Sequence, residues 1–395
     1  MTASQTRQTG YFTVNIMKVF YCDTDIFSGH EKMFLAAACG VSDKFPCMLI
    51  LNEHNPKALA YCREHGHFDH IITLPIKTVK FASLVTWFLW GDILKIKHIL
   101  QKYHATSVVV SQGRIEIGNL GSMAARLISV PVTSYIPMAH GYVELYGKSA
   151  TNIFKDALCA ILYRLPARYI TISDSVKASL QQKSGRGTPV DVVANYIDRK
   201  PQADVASAVT PLTDVPPGTF TLVIPGRLLD KQKGQIDYLT ALKTVIAQRP
   251  SVKCFLVGDG EDKARIRNFI KANQLHNHVE LLGNRDDMLA IMSQADLIVI
   301  PSKFEGVPLV LIEAALLNKK IIASRIDGIK DYLNATFLFG SHNIDEMSRV
   351  TLQHMTSSRD DNYRESLKTL IRRHQDDFVN DFYAALIQPS VKSTS

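Results

Sequence analysis

The stretch DLIVIPSKFEGVPLVLIEAALLNK, residues 296–319, carries the signals of a strand, a loop and a helix in direct succession. IVIPS is a short β-branched run that predicts a strand, and LVLIEAALLNK predicts a buried helix. Pro308 suits the first turn of that helix, where a missing N–H is not needed. Glu305 falls on the loop and Glu313 more than one turn inside the helix. Because proteins seldom bury a charge without a partner, both acids are expected to meet a ligand or a cation.

The same alternation of strand and helix signals runs along the whole chain. Short apolar runs lie at 17–22, 47–51, 70–74, 107–112, 132–136 and 169–173, and again at 220–226, 252–260, 279–283, 296–302 and 320–324. Helical stretches separate them, which predicts parallel sheets covered by helices on both faces. We therefore predict an α/β chain with two Rossmann-like, doubly wound domains that face each other across a cleft. Such sheets bind ligands at the carboxyl ends of their strands.

A proline-rich stretch separates the two halves. Residues 195–219, NYIDRKPQADVASAVTPLTDVPPGT, contain four prolines and little apolar periodicity, which predicts an interdomain linker. We predict a flexible N-terminal extension over 1–16, a first domain over 17–198 and a second over 199–374. The tail predicts a long amphipathic helix or helix pair, and its last part, about 375–395, is expected to complete the first domain.

Positive charge is concentrated in the first half of the chain. The net charge of +8 arises in residues 1–200, which hold 22 Lys+Arg against 14 Asp+Glu, whereas the remainder holds 23 of each. This asymmetry suits an anionic partner such as a phosphorylated substrate or a membrane leaflet. A solvated basic face without a partner is the alternative.

Cysteine usage and hydropathy bear on the cellular compartment. The six cysteines form no CxxC motif, which favours a reducing compartment and argues against structural zinc or a disulfide framework. The polar start MTASQTRQTG does not read as a secretory signal. No stretch approaches the ~20 apolar residues of a spanning helix. We expect a cytoplasmic protein that at most touches the inner face of a membrane.

Cations and glycines follow the predicted strands of the second half. IPGRLLDKQKG places Arg227 and Lys233 after Gly226, where they can meet a diphosphate. VGDG, residues 257–260, lets a ligand approach the backbone at Gly258. LLGNRDD, residues 281–287, can contact the edge of a nucleobase through its backbone. Solvated surface turns remain the alternative for each of these motifs.

The loop after residue 302 predicts a further part of the same site. The N–H groups of Gly306, Val307 and Leu309 are expected to point toward an anion. Carboxylates accept hydrogen bonds from pairs of hydroxyls, so Glu305 and Glu313 can hold the two sugars of a nucleotide sugar. An internal pair with Arg or Lys partners is the alternative.

Several motifs together resemble a known family. GRLLDKQKG, VGDG, LLGNRDD, PSKFEGVPLVLIEAALLNKKIIAS and GIKDYL occur in an order and spacing that resemble the retaining GT-B glycosyltransferases of family 4, the group 1 type. SDSVKASL followed by VVANYID also resembles this family. The resemblance is strongest over 170–333. It implies an acceptor domain over 17–198 and a nucleotide-sugar donor domain over 199–374.

The resemblance also implies roles for individual residues. Arg227 and Lys233 would hold the donor diphosphate, Glu305 the donor sugar and Glu313 the ribose. His140, after the strand SYIPMAHG, would lie beside the reactive centre of the sugar. Catalytic candidates are thus His140, Glu305, Arg227 and Lys233, and the donor-binding candidates are Gly29, Gly226, Arg227, Lys233, Gly258, Asn284, Arg285, Glu305, Gly306, Val307, Pro308, Leu309 and Glu313.

The sequence departs from the family pattern at three places. Asn318 stands where the helix after Glu313 usually ends in glycine, although asparagine tolerates the left-handed conformation of such a cap. The first glycine pair reads Ser28 and Gly29. The later pair reads Asp327 and Gly328, and Asp331 follows where glutamate is common.

The implied activity is the transfer of a sugar, with retained configuration, from a nucleotide-diphosphate sugar to an acceptor hydroxyl. The expected setting is lipopolysaccharide, capsular or other surface-polysaccharide biosynthesis, without a metal, a further cofactor or a nucleic acid. A GT-B nucleotide-sugar epimerase and a non-catalytic nucleotide-sugar-binding subunit are alternatives. A nicotinamide oxidoreductase is disfavoured because the first strand of neither half is followed by a GxGxxG motif with an acidic residue ~20 positions further on.

The acceptor is expected to be a glycan or a lipid-linked precursor. Residues 77–102 combine aromatic and basic side chains and can lie in a membrane interface. A helix packed in the core of the first domain, with its lysines outward, is the alternative. The aromatic members are Trp87, Phe88 and Trp90, and the basic ones are Lys77, Lys80, Lys95, Lys97 and Lys102.

Overall fold

A computed structural model describes residues 17–76, 82–185, 187–197, 212, 215–356 and 363–388. The chain divides into two compact units, one of Met1–Tyr135 with Arg164–Arg168 and one of Ile136–Tyr163 with Tyr169–Ser395. The predicted extension over 1–16 and most of the predicted linker lie outside the described residues. The predicted domain boundary near 198 lies there too, so it stays a prediction.

The first unit is a parallel sheet with a helix between most of its successive strands. Its strands are ordered β3-β2-β1-β4-β5. The interior strands β1 and β2 are almost wholly buried, which explains their continuous apolar sequences. In chain order its elements are Met17–Cys22 (β1), Gly29–Val41 (α1), Cys47–Asn52 (β2), Pro56–His65 (α2), His70–Leu74 (β3), Ala82–Val85 (α3), Trp90–Lys102 (α4), Ala105–Ser111 (β4), Asn119–Arg126 (α5) and Val132–Tyr135 (β5).

The second unit begins with a short helix and a longer one, followed by two paired strands with a helix between them. Its first elements are Tyr142–Tyr146 (α6), Ala150–Leu162 (α7), Arg168–Thr171 (β6), Asp174–Ser184 (α8) and Val190–Val192 (β7). Strands β6 and β7 pair in parallel, with Tyr169 opposite Val190. Ser173 precedes α8 and caps it by accepting a hydrogen bond from the Val176 N–H.

A second parallel sheet follows within the same unit, with strand order β10-β9-β8-β11-β12-β13. Its elements are Phe220–Pro225 (β8), Asp230–Lys233 (α9), Gln235–Gln248 (α10), Val252–Val257 (β9), Lys263–Ala272 (α11), Val279–Gly283 (β10), Met288–Ser293 (α12), Leu297–Ile300 (β11), Leu309–Leu316 (α13), Ile321–Ser324 (β12), Leu338–Phe339 (β13), Ile344–Thr356 (α14), Glu365–Leu370 (α15) and Gln375–Ile387 (α16). Apolar side chains from β8, β9, β11, α10, α11 and α14 form one of its cores.

The order of this second sheet reverses beside its first strand. From β8 the chain moves outward through β9 to β10, and then returns to place β11 on the other side of β8. Helices that follow strands on opposite sides of such a reversal leave a crevice at the carboxyl ends of those strands. The loops after β8 and β11 therefore flank the place where a ligand is expected.

The predicted fold class is confirmed, since the chain forms two parallel, Rossmann-like α/β sheets. All eleven predicted strands are present, and the predicted tail is a helix pair. The strand predicted over 252–260 is shorter in the structure, where it ends before Gly258. The φ of +142° at Gly258 is incompatible with a regular strand. Strands β7 and β13 were missed, since three and two residues are too few to show a pattern.

Gly258 allows two strand ends to approach closely. A Cβ atom on Gly258 would overlap the carbonyl oxygen of Gly226. The Gly226 N–H in turn donates to the Val257 carbonyl oxygen at 2.9 Å. The glycine at position 258 is therefore required by backbone packing as well as by its positive φ.

Gly258→Ala should lower the free energy of unfolding by roughly 2–5 kcal/mol, because backbone strain of about 1–2 kcal/mol adds to a steric overlap of about 1–3 kcal/mol. Urea unfolding followed by circular dichroism measures the change. Gly283→Ala is the matched control, since Gly283 has a φ of +70° but no atom within 4 Å of the new Cβ. Equal losses in both variants would contradict the proposed close approach.

Candidate functional site

The loops after β8 and β11 contact each other through their backbones. The Lys303 N–H donates to the Gln232 carbonyl oxygen at 2.7 Å, and a Cβ atom on Gly234 would overlap the carbonyl oxygen of Pro301. Residues 226–234 and 301–305 are far apart in sequence, but β8 and β11 are neighbours in the sheet. This contact fixes the side chains on the two loops relative to one another.

The main polar contact at this place joins two predicted site residues. Lys233 Nζ lies 2.5 Å from Glu305 Oε1, and the two side chains are only 18% and 11% exposed. Gln232 Nε2 donates to the same carboxylate oxygen at 3.4 Å. Lys233 also passes beside the Gly226 turn, with its Cε 3.6 Å from the place of a Cβ on Gly226. The sequence left two possibilities for Glu305, a contact with a sugar or an internal pair with Arg or Lys, and in this structure Glu305 pairs with Lys233.

Arg227 lies at the same strand end with its side chain exposed. Its carbonyl oxygen accepts a hydrogen bond from Gln235 Nε2 at 2.9 Å. Its guanidinium makes no ion pair or side-chain hydrogen bond within the described part of the chain. A cation held at the crevice by its backbone, with an unengaged guanidinium, can bind phosphate oxygens in pairs.

The segment after Glu305 differs in detail from its prediction. Gly306, Val307 and Pro308 are buried. Helix α13 begins at Leu309 as predicted, but Pro308 is its N-cap rather than part of its first turn, and the helix ends at Leu316 instead of Lys319. Pro308 has a φ of −63° and a ψ of 131°, because the residue that caps a helix has extended backbone. Glu313 lies half-buried in the interior of α13. Asn318 has a φ of +51°, as the left-handed cap predicts.

The remaining donor-binding candidates of this sheet lie at the ends of β9 and β10. Gly258 is buried beside Gly226, as described above. Asn284 is exposed in the turn after β10. Arg285 is held by Asp287 through two hydrogen bonds of 2.7 and 2.6 Å, and this carboxylate raises the pKa of Arg285. Since β9 separates β10 from β8, the turn at 284–285 lies at the edge of the site rather than beside Lys233.

His140 lies in the second unit, next to the loop of Glu305. Its ring packs edge-on against Phe304 at 6.1 Å, and its side chain is only 9% exposed. His140 Nε2 is buried and has no hydrogen-bond partner in the part of the chain that the structure describes. Its Nδ1 lies 3.7 Å from Glu144 Oε1. The nearby His140, the Gly141 N–H and the Lys183 ammonium lower the pKa of Glu144 to about 2.

Aromatic residues that the sequence did not single out extend this cluster. Tyr146 packs against Phe304 with ring centroids 6.5 Å apart, and Lys231 Nζ lies 4.7 Å from the centre of the Tyr146 ring. A carboxylate of Asp156 accepts the N–H groups of Tyr142 and Val143 and so anchors the start of α6. A single tyrosine in a helical sequence pattern does not indicate a functional site, so Tyr146 is identified only by its tertiary contacts.

Gly29 begins α1 in the first unit. Glu31 accepts a hydrogen bond from the Ser28 N–H at 3.1 Å and another from the Ser28 hydroxyl at 2.5 Å. His30 stacks on Tyr135, and its Nε2 lies 3.0 Å from the Ser111 hydroxyl. Burial lowers the pKa of His30. These contacts hold the start of α1 beside the carboxyl ends of β4 and β5.

The predicted basic and aromatic segment is partly described. Lys77 and Lys80 lie outside the described residues. Helix α4 buries Ile93, Ile96 and Leu100 against the core of the first unit. Phe88, just before α4, is 74% exposed, and Trp90, the first residue of α4, is 50% exposed. The segment therefore both packs in the core and presents aromatic side chains to solvent.

Three further observations bear on the predicted chemistry. All six cysteines are buried free thiols. Within the residues that the structure describes, three or more His, Cys, Asp or Glu side chains never gather in a geometry that could hold a metal ion. No helix among those residues is both long and apolar enough to cross a bilayer.

Comparison with known proteins agrees with this architecture. HepE of Anabaena, solved with UDP and glucose, superposes with a TM-score of 0.70 at 18% identity over 93% of this chain and 98% of HepE. The lipopolysaccharide outer core galactosyltransferase WaaB superposes with a TM-score of 0.63 at 16% identity, over 93% and 99% of the two chains. Two Rossmann-like sheets of this kind define the GT-B class of glycosyltransferase folds.

Sequence comparison identifies the second sheet more closely. Residues 213–373 match the family model Glycosyl transferases group 1. The UDP-Gal:alpha-D-GlcNAc-diphosphoundecaprenol alpha-1,3-galactosyltransferase of Escherichia coli is 27% identical over 222 residues, which cover 53% of this chain and 56% of that protein. The chain spans 19% to 56% of the length of the curated relatives it matches.

Proposed function

We propose that the protein is a retaining glycosyltransferase of family 4 that transfers a sugar from a nucleotide-diphosphate sugar to an acceptor hydroxyl. The observation that carries this proposal is the placement of Lys233, Glu305 and Arg227 at the reversal between β8 and β11. Two cations after β8 and an acid after the neighbouring β11 suit a ligand that has a diphosphate next to a sugar. The match of residues 213–373 to a glycosyl transferase domain supports the same reading.

The Lys233–Glu305 ion pair can exchange partners when such a donor binds. A diphosphate beside Lys233 offers the ammonium a second anion, and sugar hydroxyls offer the Glu305 carboxylate new hydrogen-bond donors. Before a donor binds, the ion pair compensates both charges. This compensation is needed because an isolated buried charge is strongly disfavoured. Glu313, inside α13, would bind the ribose hydroxyls.

In the proposed reaction the acceptor oxygen forms a bond to the anomeric carbon on the face that the leaving diphosphate departs from. The bond between the anomeric carbon and the phosphate oxygen breaks with its electron pair on that oxygen, which takes the acceptor's proton. Arg227 and Lys233 stabilise the growing negative charge. His140, with its buried and unpartnered Nε2, would orient the sugar ring.

The proposed setting is the biosynthesis of a surface polysaccharide or lipopolysaccharide. The Escherichia coli relative is named for a UDP-Gal donor and a diphosphoundecaprenol-linked acceptor. WaaB is named for the lipopolysaccharide outer core. We therefore propose a UDP-sugar donor and a glycan or lipid-linked acceptor, with the reaction in the cytoplasm or at the inner face of the membrane and without a metal cofactor.

A thermal-shift screen of UDP, GDP, ADP and their common sugars tests the donor. A ligand at 100 times its Kd stabilises the folded protein by about 2.7 kcal/mol, so the correct nucleotide should raise the Tm and the others should not. We expect the UDP compounds to give the shift. A shift with GDP or ADP sugars alone would contradict the UDP assignment, and no shift with any compound would contradict nucleotide-sugar binding.

Arg227→Ala should lower kcat about 10²–10³-fold, by analogy with the removal of other preorganised transition-state donors. The measurement is sugar transfer with excess EDTA present, and wild-type activity should persist in EDTA because the cations replace a metal. Arg249→Ala is the control, since Arg249 is exposed but lies before β9, at the opposite end of the strands. Near-normal turnover of Arg227→Ala would refute its role, and a product formed without any acceptor would indicate an epimerase.

We further propose that residues 77–102, of which the structure describes 82–102, bind an anionic lipid surface. Phe88 and Trp90 are exposed aromatic side chains, and the helix that follows carries Lys95, which is 66% exposed. Aromatic side chains next to lysines are typical of protein segments that lie in a membrane interface. The excess positive charge of the first half of the chain complements anionic headgroups.

The double variant Phe88→Ser, Trp90→Ser should bind vesicles containing phosphatidylglycerol at least about tenfold more weakly at low salt, because two aromatic rings no longer leave water. Co-sedimentation measures the binding. Ile387→Ser is the control, since Ile387 is an apolar residue that is 55% exposed in the second unit. Unchanged vesicle binding of the double variant would remove the membrane from the proposal.

A further inference from the structure

The loop that follows Glu305 rests on a glycine from a distant part of the chain. Gly328 has a φ of +81°, and a Cβ atom there would overlap the Gly306 carbonyl oxygen and lie 3.2 Å from the Val307 nitrogen. Gly328 therefore contacts the Gly306–Val307 peptide directly, backbone against backbone. Because both partners are buried backbone, a displacement of Gly328 must displace this peptide as well.

Gly328 is itself held by a serine of α8. The Gly328 N–H donates to Ser175 Oγ at 3.0 Å, and Ser175 Oγ–H donates to Asp331 Oδ2 at 2.6 Å. The directions of these bonds are fixed, since a hydroxyl has one proton and an ionised carboxylate only accepts. Asp331 thus orients the Ser175 hydroxyl so that its lone pair faces Gly328.

We propose that Ser175 is a positioning residue for donor binding. It acts through Gly328 to keep residues 306–307 in the conformation in which the N–H groups of Gly306 and Val307 meet the donor. This inference rests on the proposed function, because that function makes these N–H groups ligand contacts. Ser175 itself touches neither Lys233 nor Glu305 in the described structure, so its effect on the donor is indirect.

The same helix provides a matched control. One turn after Ser175, Ser179 Oγ donates to Asp327 Oδ2 at 2.9 Å. Asp327 also pairs with Lys330 Nζ at 2.5 Å. Ser179 therefore bonds the same loop with similar geometry, but it holds a side chain rather than the Gly328 backbone. A general loosening of the contact between α8 and this loop would follow the loss of either hydroxyl, whereas only the Ser175 hydroxyl bonds the backbone of Gly328, which contacts Gly306.

The variants Ser175→Ala, Ser175→Thr and Ser179→Ala separate these cases. Ser175→Ala removes the acceptor for the Gly328 N–H but keeps the bond from the backbone N–H of residue 175 to Asp331, which is 3.2 Å long. Ser175→Thr restores the hydroxyl. Asp331→Asn is a second test, since it keeps the Ser175 hydroxyl but removes the charge that orients it.

The first readout is hydrogen exchange of the peptide covering 304–309, followed by mass spectrometry without any nucleotide. Ser175→Ala should speed exchange there about tenfold and Asp331→Asn about threefold. Ser175→Thr and Ser179→Ala should stay near wild type. Unchanged exchange in both Ser175→Ala and Asp331→Asn would overturn the proposal, as would an equal increase in Ser179→Ala.

The second readout is the affinity for UDP, measured by isothermal titration calorimetry, together with the split between KM and kcat. Ser175→Ala should raise the Kd for UDP and the donor KM about tenfold while kcat falls less than threefold. A fall in kcat at unchanged KM would overturn the positioning role. A wild-type protein that does not bind UDP would contradict the proposed donor, and the exchange experiment would still decide the role of Ser175.

Discussion

The ion pair between Lys233 and Glu305 is the interaction on which the rest of the site depends. The two residues are brought together because β8 and β11 are adjacent although two other strands lie between them in sequence. Removing both groups from water is costly, so the pair is stable only while its partners stay aligned. This requirement explains why the loops after β8 and β11 are bonded through their backbones as well, from Lys303 to Gln232.

Two glycines in the second unit allow the close backbone contacts that keep the loops of the site aligned. Gly258 lets two strand ends approach at Gly226, and Gly328 lets another loop approach at Gly306. In both cases backbone meets backbone without a side chain between, so the site is enclosed by rigid contacts. A site built in this way can present N–H groups to a ligand with little reorganisation, which favours tight binding.

The charges of the molecule divide into two classes by their surroundings. Those near the crevice are compensated by fixed partners, as Lys233 is by Glu305 and Arg285 by Asp287, with Arg227 left exposed. Those that give the first half its net positive charge lie mostly on the surface, where salt screens them. The first class suits recognition of one small anionic ligand, and the second suits attraction to an extended anionic surface.

The α/β class, eleven strands and the motifs that resemble a glycosyltransferase could be predicted from the sequence, because hydrophobic periodicity and turn residues are local properties. The sequence also placed Arg227, Lys233, Glu305 and Gly258 in the segments that follow strands, where the structure has them. The folded chain was needed to show that Lys233 is the partner of Glu305, that Phe304 packs on His140 and that Ser175 holds Gly328. Those contacts depend on the order of strands in the sheet and on loops that meet across tens of residues, and a local pattern carries no information about either.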